Sequence, residues 1–467
     1  MKQKPCLPSL PQLLVALSSF LFLTFSFTTW LDLPVPLALF AGWFILLALG
    51  LWLGNDYASL ESAARKSICH GLGALLVLLA VGALIGSWIS GGIVPAIIYY
   101  GLKLIHPTYF LLIALIICSL TSLATGTSWG AAATTGIAMM SIGKSLSIPA
   151  PLIAGAVLSG VYFGDKLSPL SDSVILAATM AKVEVVRHIK NMLLIALISY
   201  IITACLFTLA GFHYAQKVDL TQVTEVTQTL VSRFQITPLA FIPVAIVLLL
   251  LSKRQPAFLV ISLGALLGVI WTLLMQQGTI RIALQALYRP QVIQTQIELI
   301  DNLLAGGGLF SMLESVIIII LGLGFGGLLE KIGALTVISQ RLEPWITHPS
   351  RLTLATLITA FFGNLFGSAM YVSLILTPTI MLSHYDRLKI SRYDLSRNAE
   401  FGGTLTCAMI PWSDNGIFMS QLLGVSTFAY LPYLWLTLVC ITITLITAYS
   451  GKFIHSNVAD ESTMISE

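Results

Sequence analysis

Charge is what this chain has least of: 9% of its 467 residues are charged, against roughly a quarter in an average soluble domain. That shortage excludes a water-facing surface over most of the chain. Histidine and cysteine are also sparse, at seven and six residues. Cys6, Cys69, Cys118, Cys205, Cys407 and Cys440 show no CxxC or other metal-ligand spacing and mostly sit in apolar runs, so they read as small core residues. No HExxH or P-loop pattern occurs, which argues against an enzyme. The net charge of +4 comes mainly from Lys and Arg beside apolar runs, so it speaks of membrane orientation and not of nucleic acid. No cofactor is expected.

What fills the chain instead is apolar sequence, with 57% hydrophobic residues and a mean hydropathy of +0.92. Long apolar stretches lie near residues 12–30, 36–53, 72–89, 108–125, 190–211, 236–252, 257–276, 310–329, 352–382 and 428–449, each near or above the ~20 residues that cross a bilayer. Shorter pieces at 93–104, 130–142, 150–163, 172–181 and 400–424 suit re-entrant or half-helices, which need protein or a water-filled cavity to cover their freed backbone. The fold class is therefore an all-α polytopic membrane protein of roughly 10–12 spans embedded in lipid. After Lys2 and Lys4 the first apolar run lacks a small-residue cleavage pattern, so it reads as a retained span.

Two rare patterns recur at one spacing. Pro169-Leu170-Ser171-Asp172 returns as Pro411-Trp412-Ser413-Asp414, and 414 − 172 = 242 also separates His106-Pro107 from His348-Pro349. Gly160 and Gly402 share the offset, as do Gly82 and Gly324. This is an internal duplication, and in an apolar chain it points to a secondary transporter with its site between the repeats. The expected division is a first membrane repeat over 1–212, an external connector over 213–235, a second repeat over 236–450 carrying an insertion at 278–306, and a cytoplasmic tail over 451–467. Basic clusters such as Arg65/Lys66, Lys182/Arg187/Lys190, Lys253/Arg254 and Arg387/Lys389/Arg392/Arg397 mark the cytoplasmic side. They place both termini there and give the two halves opposite orientation.

The chemistry concentrates where the duplication is polar. Asp165, Lys166, Ser168, Ser171, Asp172 and Ser173 lie between apolar segments, and a charge at mid-bilayer costs at least about 2.5–3.5 kcal/mol, so such groups usually face an ion or proton path. An ordinary loop with Ser, Asp and Pro is the alternative. In the second half Glu400, Thr404, Ser413, Asp414 and Asn415 surround Pro411, which must break a helix arriving from Glu400. Free helix ends there can bind a cation or an anion. Asp165, Asp172, Glu400 and Asp414 are expected to converge as hard oxygen ligands for Na⁺ or sites for protons, with Asp165 and Asp172 as the direct Na⁺ ligands. Lys166 reads either as the counter-charge of Asp165 or as a ligand for a substrate anion. Thr125-Gly126-Thr127-Ser128-Trp129-Gly130 and Gly363-Asn364-Leu365-Phe366-Gly367-Ser368 form a third candidate region, with Thr127 and Asn364 as polar ligands, or else serve as close-packing small residues.

The run Tyr162-Phe163-Gly164-Asp165-Lys166-Leu167-Ser168-Pro169-Leu170-Ser171-Asp172, with Pro411-Trp412-Ser413-Asp414 and a Gly-Thr-x-Trp-Gly-type element before it, resembles the NhaC family of bacterial sodium/proton antiporters. The likeness runs over nearly the whole chain. It implies inverted repeats with re-entrant hairpins in the bacterial inner membrane, a homodimer, and Na⁺ and H⁺ as the transported ions. The family also contains exchangers of small organic acids of the malate/lactate type, and the motif does not choose between them.

Overall fold

The computed structural model describes residues 6–31, 33–70, 72–104, 106–169, 171–215, 220–253, 255–289 and 307–451. Among these the chain is helical throughout, with no strand. Ten helices position the site. In the first half they are α1 (Phe110–Thr125), α2 (Ile137–Ser145), α3 (Ala150–Leu167), α4 (Asp172–Met180) and α5 (Val185–Ala215). In the second they are α6 (Pro349–Gly367), α7 (Met370–Arg387), α8 (Arg392–Cys407), α9 (Asp414–Leu423) and α10 (Trp435–Tyr449). A short turn, Ser128–Ala131, and a π-helical turn, Ala132–Gly136, lead directly into α2.

The 242-residue offset holds for the backbone as well as for the motifs. Ser128 and Ser145 bound the first of these stretches, and 128 + 242 = 370 and 145 + 242 = 387 are the ends of α7. Likewise 150 + 242 = 392 starts α8 and 172 + 242 = 414 starts α9. Three pairs of residues with left-handed backbone keep the same spacing: Gly126 and Ser368, Ser147 and Lys389, Lys182 and Gly424. His106 and His348 both cap helix starts, each Nδ1 accepting from the amide two residues on, Thr108 or Ser350, at 3.4 Å.

The breaks fall where the sequence requires them. A residue preceding proline is driven out of helical conformation; α3 stops at Leu167, just ahead of Pro169, and α8 stops at Cys407, ahead of Pro411. The apolar run 352–382, read from sequence as one stretch, is two helices. Ser368 in left-handed conformation turns the chain between α6 and α7. Within α7 the interior Pro378 sits opposite the π-helical turn of the first half, since 136 + 242 = 378.

Among the described residues three continuous helices have the length and apolarity to cross a membrane, Pro107–Thr125, Val185–Tyr214 and Leu309–Ile332. Three further pairs do so only together, bent by 71°, 87° and 54° at short breaks, as at Leu75–Ser90 with Ile93–Leu104. The long apolar runs near 72–89, 236–252 and 428–449 thus belong to bent pairs. Within the expected connector, Leu220–Arg233 is a helix. Within the expected insertion, Ile280–Tyr288 is a helix capped by Thr279; its remainder at 290–306 lies outside the described residues, as does the tail beyond 451. Glu314 stands exposed in the first turn of Leu313–Ile332.

Close packing of α3 on α1 sets the frame of the site. A Cβ on Gly160 would lie 2.5 Å from the Leu115 carbonyl oxygen, and one on Gly164 would strike the Ser119 carbonyl still harder. These backbones approach because no side chain separates them. In the same way Gly402 brings α8 onto α6, its Cβ position 3.1 Å from Leu357 Cα. Gly164→Ala is expected to destabilise the protein by about 1–3 kcal/mol or more, because backbone and not a flexible side chain must yield. A thermal midpoint in detergent equal to that of wild type would contradict this close fit.

Candidate ion-binding cavity

Four helices begin at one cavity of about 620 Å³, whose wall includes Ser128, Asp172, Met370 and Asp414. They are two repeat-related pairs. The first amides of a helix have no partner within it and carry positive partial charge; at α9 other groups take them, Asp414 N donating to the Ser368 carbonyl at 2.9 Å and Asn415 N to Asp414 Oδ1 at 2.6 Å, and no Lys, Arg or His is among the cavity's wall residues. Ser413 caps α9 by accepting from Gly416 N at 2.9 Å, and Thr127 caps the turn at Ser128 by accepting from Gly130 N at 3.4 Å.

Three of the four carboxylates expected from sequence reach this cavity. Asp165 is buried in its wall, in the same lining as Ser128 and Ser171. Asp172 is exposed and lines it from the start of α4. Asp414 is buried, its Oδ1 accepting from Asn415 N at 2.6 Å, Asn415 Nδ2 at 3.0 Å and Met370 N at 3.4 Å. That geometry makes Asp414 the tie that closes the starts of α7 and α9 together.

Glu400 and Lys166 stand behind the wall. Both are fully buried and neither lines the cavity. Glu400 Oε1 accepts from Ser173 Oγ at 3.0 Å and from Thr404 Oγ1 at 2.8 Å, while its Oε2 has no hydrogen-bond partner among the described residues. The four carboxylates therefore do not meet at one point, and among the described residues no group of three or more His, Cys, Asp or Glu side chains is placed to hold a metal ion. Lys166 Nζ donates to the Glu400 backbone carbonyl at 2.9 Å, lies 4.0 Å from Glu400 Oε1 and sits 5.3 Å from the centre of the Phe401 ring. Its nearest counter-charge is Glu400, not the adjacent Asp165. Successive residues on a helix project about 100° apart, so Asp165 faces the cavity while Lys166 faces α8.

The remaining expected ligands divide between wall and frame. Ser171 and Ser173 line the cavity and touch each other at 3.0 Å. Ser168 Oγ donates to the Leu123 carbonyl at 2.9 Å, and Asn364 Nδ2 donates to the Gly403 carbonyl at 2.6 Å and to Thr406 Oγ1 at 3.0 Å, both fastening neighbouring helices. Asn415 Oδ1 accepts from Trp129 Nε1 at 2.8 Å and from Tyr162 OH at 3.0 Å, which locks the first half to the second. Trp129 also stacks on Phe418 at 4.2 Å. Sequence reasoning named Ser128 and Trp129 only as parts of the third candidate region and Tyr162 only within the family-like run, and it missed the wall residue Tyr371. A signal existed: 129 + 242 = 371 puts two aromatic rings at equivalent wall positions.

Known proteins share this chain's sequence over most of its length. The profile of the Na⁺/H⁺ antiporter family matches residues 160–452. The malate-2H⁺/Na⁺-lactate antiporter of Bacillus subtilis is 53% identical over 96% of each chain. The Na⁺/H⁺ antiporter NhaC of Alkalihalophilus pseudofirmus is 32% identical over 86% of this chain and 87% of its own. The arginine/ornithine antiporter ArcD of Halobacterium salinarum is 31% identical over 88% and 85%. With apolar helices broken around a shared cavity and relatives matched almost end to end, this multi-pass membrane protein belongs to the Na⁺/H⁺ antiporter family.

Proposed function

We propose that the chain is a secondary transporter, not an enzyme, that exchanges Na⁺ for H⁺ across a bacterial inner membrane through this cavity. The observation that carries the reading is Asp165: a buried carboxylate in the cavity wall, which Ser128 and Ser171 also line and at which four helices start. A carboxylate with hydroxyl oxygens suits a hard cation such as Na⁺, and a proton on the same carboxylate competes with it. Asp172 and Asp414 complete the negative wall. Both termini are read as cytoplasmic from the basic clusters, the working unit as a homodimer in lipid, and no cofactor enters the cycle.

A second reading is favoured by size. About 620 Å³ is in the range of small-molecule pockets and far exceeds what a bare ion needs, and relatives include exchangers of malate, lactate and amino acids by name. A small hydroxy acid would meet the hydroxyl-rich wall formed by Thr127, Ser128, Ser171 and Ser173; the Met370 amide is taken by Asp414, and Lys166 faces Glu400. Proteoliposome flux decides. Asp165→Asn is expected to lower Na⁺-driven proton movement more than 100-fold, on the order of the ~3 kcal/mol that one lost charged ligand costs, while the protein still folds. Normal exchange by that variant would refute the assignment of Asp165. Na⁺ flux that requires an added C3–C5 hydroxy acid in wild type would establish the second reading over the first.

A further inference from the structure

Trp412, two residues before the cavity-lining Asp414, faces a second and apolar groove of about 350 Å³ between the helix Leu10–Phe25 and α6. Leu14 and Leu17 line it from the first helix, and Ile358 and Phe362 from α6. At its aromatic part Phe20 meets Phe325 at 4.4 Å and Trp412 at 5.4 Å between ring centres. Among the described residues that line the groove, Arg341 is the one charged residue. It is exposed in the last turn of Ala334–Leu342, and no hydrogen bond or ion pair among the described residues holds its guanidinium. A free cation beside an otherwise apolar groove calls for an occupant that is apolar over most of its length and anionic at one place.

We infer that the groove is a binding site for an anionic phospholipid, with one acyl chain along its apolar walls and the phosphate on Arg341. Length supports this. From Leu10 to Phe20 the lining follows its helix for about 15 Å, the depth of one leaflet in a ~30 Å hydrocarbon core. Arg341 lines the same groove from the end of a helix that touches Leu10–Phe25, so a chain in the groove and a phosphate on the guanidinium belong to one molecule. An unfilled apolar groove forfeits dispersion contacts, and any acyl chain of the bilayer restores them. The headgroup is what Arg341 selects, because a guanidinium gives a phosphate two parallel donors, and basic pockets between spans hold anionic lipids in this way.

Trp412 connects this site to the ion-binding cavity. Its Nε1 donates to the Leu365 carbonyl of α6 at 2.9 Å, and Leu365 also lines the groove. The next residue, Ser413, caps α9, and the one after it, Asp414, stands in the cavity wall. A chain packed against the Trp412 ring therefore supports the break between α8 and α9 on which Asp414 is mounted. That support is independent of which ion or acid the cavity carries, so the site stands apart from the exchange proposed above.

The test uses the purified full chain in detergent, titrated with phosphatidylglycerol or with phosphatidylcholine of the same acyl chains. Thermal midpoints are read beside the lipid retained in native mass spectrometry. Wild type is expected to retain phosphatidylglycerol and to melt about 2–3 °C higher with it than with phosphatidylcholine. Arg341→Gln is expected to lose both the retained lipid and the difference, with its midpoint in phosphatidylcholine unchanged. Arg351→Gln removes an exposed cation that lies over the Trp345 ring and does not line the groove, and is expected to keep both. Ile358→Trp fills the groove while leaving Arg341 in place, and is expected to lose the retained lipid. Equal midpoints of wild type in the two lipids, or a difference that persists in Arg341→Gln, overturns the site. So does an equal loss in Arg341→Gln and Arg351→Gln, because the headgroup would then be sensing basic surface at large. A change of particle mass in Ile358→Trp without any lipid preference in wild type would mean that a second copy of the chain covers the groove, and would overturn the lipid site as well.

Discussion

Lys166→Met is expected to cost about 3–5 kcal/mol, the toll of breaking a buried ion pair from one side, whereas Lys166→Met combined with Glu400→Gln should recover most of that loss. Both side chains are at most 2% exposed and Nζ lies 4.0 Å from Oε1. Methionine matches the lysine stem in length, so packing changes little and the stranded charge dominates. Glu400→Gln alone strands the ammonium and should lose a similar amount. Thermal midpoints in detergent, with the yield of monodisperse protein, measure all three variants. A double variant no more stable than Lys166→Met would mean that Lys166 is held by something other than Glu400.

That pairing also shows what the sequence could and could not disclose. The Ser-Asp starts of α4 and α9 and the recurrence of the two His-Pro pairs were legible because each is local in the chain; at α9 Ser413 meets its own helix start, where the residue type needed is nearly fixed, while Ser171 makes no such bond at α4. The breaks at Pro169 and Pro411 were legible for the same reason. Partners across the fold were not. Lys166 reaches a carbonyl 234 positions away, and Asn415 reaches Trp129 and Tyr162 at 286 and 253 positions; nothing in one dimension marks such pairs. Sequence adjacency pointed Lys166 at Asp165, whereas helical geometry turns them apart. The expected convergence of four carboxylates failed for a related reason, since Glu400 lies on a face of α8 whose repeat equivalent is Leu158, and the repeat gave it no counterpart to be placed by. The paired aromatic rings Trp129 and Tyr371 were within reach, hidden only because the residue types differ.

Cysteine at His106 is expected to react with an impermeant thiol reagent applied from outside the cell, and cysteine at His348 only after the cytoplasmic face is opened. Both positions are exposed, and each substitution removes one helix cap at a cost of about 1 kcal/mol, too little to unfold the protein. The exposed native thiols Cys6, Cys69 and Cys205 are replaced first. The expectation follows from two independent facts. The helix boundaries and left-handed turns of the halves coincide at one offset, so the halves are copies of one design. The basic residues around the copies differ, with Arg341 and Arg351 flanking His348 while only Lys103 stands near His106, and that imbalance sets orientation. Copies in opposite orientation bring the starts of α4 and α9 toward the cavity from opposite sides, so that inward-facing and outward-facing states can arise by exchange of roles between equivalent parts. Labelling of both cysteines from the same side would mean parallel copies, and that exchange of roles would then have no structural basis.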